Sequence, residues 1–149
     1  MQVTKIIRTA YADVRIFNDV AGNLTDVTDA SIDNQLSFIF EELSETITGF
    51  EAGDKVEVLD GACDLFVTVA GLLQKLEAAG HDVATALQRV NANNLSKMPK
   101  LGELFSKDPE HTLEFNEKFQ RSVIKDSNGK IRKPTSFVPV DLSDLVPNG

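Results

Sequence analysis

The chain has 149 residues and a formal net charge of −8, with 42% apolar and 26% charged residues, nine Phe, one Tyr and no Trp. That length suits one domain burying roughly two-thirds of its unfolded surface, and the composition excludes a disordered chain. The acidic balance argues against sequence-independent binding to duplex nucleic acid or to an anionic membrane surface, since either would repel it.

Taken in order, Thr9 to Val20 carries Tyr11, Val14, Phe17 and Val20 at intervals of three, which predicts a short helix with one apolar stripe. Gly22-Asn23 ends it, Thr25 to Asp29 supplies a loop, and Thr28, Asp29 or Ser31 caps the next helix. Ile32, Leu36, Ile39, Phe40, Leu43, Ile47 and Phe50 then keep helical spacing, with a stop expected near Gly49. Asp54 to Glu57 is spaced as a capping box. It opens a segment from Lys55 to Ala79 that is apolar on most sides, so this helix is expected at the centre or in a subunit interface. Gly80 is a stop signal, and His81-Asp82 opens a fourth helix carrying Val83, Leu87, Val90 and Leu95 and reaching about Lys97, ahead of Pro99.

Beyond Pro99, Phe115 and Phe119 stand one turn apart after Pro109, which predicts a further short helix over Pro109 to Phe119. Runs on either side of Asn128-Gly129 predict a two-stranded ribbon within Val123 to Lys133. The tail from Pro134 to Gly149 holds three prolines and should be irregular. The expected fold is all-α, a single domain over 1–149. Its antiparallel four-helix core would span 1–98, with an insertion, a β-ribbon and a tail over 99–149. The third helix is more apolar than one thin bundle can cover, so a homo-oligomer, dimer or tetramer, is expected.

Cys63 is the chain's one cysteine and lies inside the apolar third helix, where it reads as a small buried hydrophobe, not a nucleophile. Met1 to Arg8 lacks the apolar core of a secretion signal, and no stretch approaches the roughly 18 apolar residues of a membrane span. A cytoplasmic setting is expected.

The second and third helices carry the acids of interest. Glu41, Glu42 and Glu45 lie near one another on the first, and Asp60 and Asp64 on the second. A short break between antiparallel neighbours can bring Glu42, Glu45, Asp60 and Asp64 to a common point. Gathered carboxylates repel and raise one another's pKa unless a cation neutralises them, and oxygen ligands suit Mg2+ or Mn2+ better than zinc. With only His81 and His111, and no Glu-x-x-His pair, a di-iron bundle lacks its ligands. A phosphate-binding GxxxxGK loop, a GxSxG elbow and a zinc-binding Cys pair are also missing.

These acids resemble the signature of the all-α nucleoside triphosphate pyrophosphohydrolases, a superfamily of MazG-like proteins, dimeric dUTPases and phosphoribosyl-ATP pyrophosphohydrolases. That signature runs E-x-x-E, a spacer, then E-x-x-D followed by an apolar run. Glu42 and Glu45 match the first half. In the second half Asp64 precedes the apolar run, but Gly61 stands where the partner Glu is usual, which leaves Asp60, or less directly Glu57, as its replacement. Downstream, Val90, Asn94, Ser96 and Lys97 match the V-H-x-S-N-M-S-K segment of small, often phage-encoded members, and Asn128 to Pro134 is similar to their D-G-K-V-x-K-P ending. Pro99 to Phe119 looks like an insertion, and a phage-encoded member would work in the host cytoplasm.

The resemblance implies hydrolysis of a nucleoside or deoxynucleoside triphosphate to monophosphate and pyrophosphate, controlling nucleotide pools. Mg2+, with Mn2+ as the alternative, would be held by Glu42, Glu45, Asp64 and Asp60. Glu42, or second Glu41, would act as the base. Asn94, Lys97, Lys130 and Lys133 would hold the phosphates, and Phe17 and Asn18 would meet the base. The competing expectation is a catalytically impaired nucleotide-binding or structural oligomer in which Gly61 has removed a ligand.

Overall fold

Apolar periodicity and strong end-caps yield four α-helices, followed by three short strands. The helices are α1 (Gln2–Val20), α2 (Asp29–Ala52), α3 (Lys55–Ala78) and α4 (Val83–Ser96). The strands are β1 (Thr112–Asn116), β2 (Arg121–Lys125) and β3 (Ile131–Arg132). This is a computed structural model, and it describes residues 2–147; Met1 and the last two residues of the predicted tail lie outside the described residues. Among the described residues no helix is long and apolar enough to cross a membrane.

Local chemistry accounts for the helix ends. Thr28 caps α2: its hydroxyl accepts from the Ser31 backbone N–H while the Ser31 hydroxyl accepts from that of Thr28. Gly53 closes the same helix in the left-handed region at φ 72°, which a residue without Cβ adopts without strain. Asp54 then starts α3, one carboxylate oxygen accepting from the N–H groups of Val56 and Glu57 at 2.9 and 3.1 Å. Replacing Asp54 by Ala leaves both donors without that acceptor. Urea denaturation should show a loss of about 1 kcal/mol, and unchanged stability would dismiss the cap.

The chain forms two compact units. The first runs to Val83 and takes in the chain again from Val146, while the second is Ala84–Leu145. The expected four-helix core is therefore a three-helix unit, because α4 from Ala84 onward groups with the ribbon and tail. Polar ties explain the grouping. The Arg121 guanidinium donates to the carbonyls of Leu95 and Met98, Asn93 donates to the carbonyl of Val138, and Arg89 forms a two-pronged pair with Asp144.

Within the first unit, α2 and α3 form an antiparallel hairpin whose register can be read residue by residue. Gly49 faces Glu57, Thr46 faces Gly61, Gln35 faces Thr68 and Gly71, and Ser31 faces Lys75. Each turn forward along α2 meets one turn back along α3. At three of these crossings one partner is a glycine, Gly49, Gly61 or Gly71. A Cβ at Gly49 would stand 2.6 Å from Glu57 Cγ, and one at Gly61 would collide with Thr46 Oγ1 and lie 3.1 Å from Thr46 Cβ. Helix α1 packs on α3 through Arg15 to Glu77 at 2.7 Å and Asn18 to Gln74 at 3.0 Å.

The second unit contains an antiparallel three-stranded sheet in the order β1-β2-β3. The predicted helix over Pro109 to Phe119 is instead β1 and its turn. Leu113 pairs with Ile124 and Phe115 with Ser122, and Ile124 is fully buried. The ribbon around Asn128-Gly129 forms as expected, from β2 and β3. Asp126 holds its turn by accepting from the N–H groups of Asn128 and Lys130 and from the Arg132 side chain.

Candidate functional site

The hairpin register places Glu42 opposite Asp64. Both are half-buried on the facing stripes, Glu42 between Gln35 and Thr46 on α2, Asp64 between Gly61 and Thr68 on α3. Glu41, Glu45 and Asp60 flank them and are exposed. The electrostatics follow the register. Desolvation first, then repulsion from Asp64, Glu45, Glu41 and Asp60 in that order, pushes the Glu42 carboxyl above its usual range. The charge felt most strongly is therefore the one across the hairpin, not those beside Glu42 on its own helix.

This donor set consists of carboxylates only, and their mutual repulsion is of the kind a hard divalent cation relieves. Among the described residues no group of three or more His, Cys, Asp or Glu side chains is placed to hold a metal ion. The acids share one electrostatic neighbourhood without forming a closed cage. Gly61 sits inside that neighbourhood, and its lack of a side chain lets α3 approach Thr46, whose hydroxyl donates to the Glu42 carbonyl at 2.7 Å.

The residues expected to meet a base are separated by environment. Phe17 is 68% exposed, whereas Asn18 is 5% exposed and committed on both sides: its amide donates to Gln74 and its carbonyl accepts from Asn23. Gln74, fully buried, passes its own amide to the Tyr11 carbonyl. Asn18→Ala should therefore cost about 1–3 kcal/mol by leaving the Gln74 carbonyl unpaired. A thermal melt unchanged by that substitution, with nucleotide affinity lost instead, would restore the base-binding reading.

The second unit gathers three of the four residues expected to hold phosphate. Lys97 donates to Asn94 Oδ1 at 2.8 Å, and the ammonium groups of Lys97 and Lys133 lie 6.0 and 4.5 Å from the centroid of the Phe137 ring. The backbone N–H of Lys130 donates to Asp126 in the turn before β3.

Several interior residues carried no expectation from the sequence. Gln35 donates to the Thr68 carbonyl at 2.9 Å, and Lys75, 4% exposed, donates to the Ser31 carbonyl at 3.0 Å. The available signal was an amide and an ammonium inside otherwise apolar helix faces. Cys63 is exposed, contrary to the expectation of burial, because it turns away from the α2 stripe. The run from Leu65 to Ala70 is buried only at Ala70.

Comparison of the chain with known protein families, with characterised proteins and with solved structures finds no match.

Proposed function

We propose that the α2/α3 hairpin is the centre of a Mg2+-dependent nucleoside triphosphate pyrophosphohydrolase. The observation that carries this reading is the pairing of Glu42 with Asp64 across the hairpin, with a raised Glu42 carboxyl surrounded by Glu45, Glu41 and Asp60. Glu42, Glu45 and Asp64, with Asp60, are not placed as a ligand group in this structure and would have to draw together to hold Mg2+ or Mn2+, which when bound would supply neutralisation of the phosphate charge that develops in the transition state. Glu42 orients a water and accepts its proton on a carboxylate oxygen. The water oxygen bonds to the α-phosphorus, the bond from that phosphorus to the bridging oxygen breaks, and the products are a nucleoside monophosphate and pyrophosphate. Glu41 is the second candidate for the base. In the second unit, Asn94, Lys97 and Lys133, with Lys130, are read as the residues that would hold phosphate.

Self-association belongs to the same proposal. Leu36, Phe40, Leu43, Ile47 and Phe50 recur along α2 at alternating intervals of four and three, and all are exposed on the single chain. Val56 and Leu59 extend the apolar surface onto α3. A second copy presenting the same stripe covers it as a homodimer, or a pair of dimers as a homotetramer. Sedimentation velocity is expected to show a dimer or larger species that Phe40→Glu converts to monomer; a monomeric wild type at micromolar concentration would refute this part.

One observation favours a second reading. Gly61 leaves no room for the usual carboxylate, so the hairpin suits a binding or structural oligomer that has lost turnover. The deciding experiment measures pyrophosphate release from the natural ribo- and deoxyribonucleoside triphosphates and dUTP, with Mg2+ and with chelator. Mg2+-dependent release supports the enzyme, and its base preference names the substrate. Binding without release from any of them selects the second reading.

A further inference from the structure

The second unit contains a cavity of about 310 Å3 that the residues expected from the sequence do not include. Pro99 and Phe105 line it from the segment after α4, and Pro134 and Phe137 line it from the segment after β3. Ser136 and Glu103 add polar groups to the lining. Its volume is at the small end of ligand sites, the size for one ring and not for a whole dinucleotide. Phe137 connects the cavity to the lysines, since it is both a lining residue and the ring beside the ammonium groups of Lys97 and Lys133.

Those two cations share one ring, whereas Phe119, the other ring with an ammonium over it among the described residues, has Lys118 alone. Arg15, Arg89, Lys125 and Arg132 each pair with a carboxylate. Among the described residues Lys97 and Lys133, like most of the chain's 15 bases, have no such partner. Two like charges sharing one ring repel each other, and an anion between them turns that cost into attraction. An aromatic-lined cavity of single-ring size, one of whose rings has two ammonium groups beside it, suits a ligand with a flat ring at one end and a phosphate at the other.

We propose that this cavity binds the base of a nucleoside phosphate, its ring against Phe105 and Phe137 and its phosphate on Lys97 and Lys133. The inference rests on reading those lysines as phosphate holders and adds the element that recognises the ring. Glu103 sets the preference. One of its carboxylate oxygens accepts from the Lys100 backbone N–H at 2.8 Å, and the other can accept from an exocyclic amino group, which favours adenine, cytosine or guanine over uracil or thymine.

The test is calorimetric titration of the full-length Asp64→Asn protein, in which turnover is removed, with AMP, UMP, adenosine and ribose 5-phosphate. AMP is expected to bind at least about tenfold more tightly than ribose 5-phosphate, the margin that stacking on an aromatic wall supplies, and more tightly than adenosine or UMP. Lys133→Gln and Phe105→Ala should each weaken AMP by about tenfold, while Lys118→Gln, whose ammonium lies over Phe119 instead, should leave it unchanged. Ser136→Trp places bulk in the cavity from an exposed position, so it tests occupancy without disturbing buried groups, and should abolish AMP binding. Equal affinity for AMP and ribose 5-phosphate, or AMP binding untouched by Ser136→Trp, overturns the inference. Pyrophosphate release by the wild type alongside either result would leave the hydrolase reading standing, and AMP binding as described with no release from any triphosphate would do the reverse.

Discussion

Glu42→Gln is expected to lower pyrophosphate release by about a hundred- to ten-thousand-fold, the usual loss when a positioned acid–base group is removed, while raising the melting temperature. The gain in stability follows from the direction of the pKa shift. Glu42 is held above its usual range by desolvation and by Asp64, Glu45, Glu41 and Asp60. A carboxyl raised in the folded state contributes stability that is fully present below its unfolded pKa and is lost as pH rises through the folded one. At neutral pH the ionised group works against the fold, and a neutral amide of the same shape removes the repulsion. The wild-type melting temperature should therefore fall as pH rises from the ordinary carboxylate range through the raised value, and the Gln variant should show less of that slope. Mg2+ should stabilise the wild type more than the variant, because binding to the native state alone shifts unfolding. Full activity in the variant would remove Glu42 from the reaction. Loss of activity with a lower melting temperature would make it a structural residue.

Restoring the usual signature by Gly61→Glu should fail to improve turnover and should destabilise the chain by about 1–3 kcal/mol, the range for forcing atoms into a filled interface. The obstacle is Thr46, whose Oγ1 occupies the place of a Cβ and whose Cα lies 3.3 Å from it. Gly61→Ala alone should show most of the penalty by urea denaturation, since the first added carbon makes the collision. Combining it with Thr46→Ala should recover part of the loss, an interaction between contacting sites that a double-mutant cycle measures directly. Additive losses would mean that the close approach does not govern the hairpin. Faster turnover in Gly61→Glu would mean that the two helices separate readily to admit a further ligand.

The helices were legible because their signals are local. Thr28 and Asp54 mark where the hairpin begins and restarts, and the apolar spacing between them is helical, but the stop expected near Gly49 falls at Gly53, because Gly49 stays helical where it packs on Glu57. The stretch around Phe115 was misread because Phe115 and Phe119 satisfy helical spacing as well as Leu113 and Phe115 satisfy alternation. What decides between them is pairing with β2, a contact that composition near Phe115 does not encode. Of the site, the facing of Glu42 and Asp64 was foreseeable from two short acidic motifs on neighbouring helices. Gly61 was not, because its role depends on the distance to Thr46, and a sequence shows an absent carboxylate and a close helix crossing as the same letter. All four expected helices form, but the grouping of α4 was not visible: its apolar stripe was, whereas the ties from Arg121, Asn93 and Arg89 that assign it to the second unit join residues far apart in the chain.

The polar contacts toward the open end of the hairpin act as an index mark for the acids about one to three turns away. A slip of α2 along α3 by one turn, about 5.4 Å, would take the Gln35 amide from the Thr68 carbonyl and the Lys75 ammonium from that of Ser31, while moving side chains into the spaces left at Gly49, Gly61 and Gly71. An interface held only by interchangeable leucines would tolerate such a slip, and Glu42 would then face Gly61 or Thr68 instead of Asp64. The alignment of the two acids is thus specified in part away from them, so a substitution at Gln35 or Lys75 can misalign the pair without touching either carboxylate.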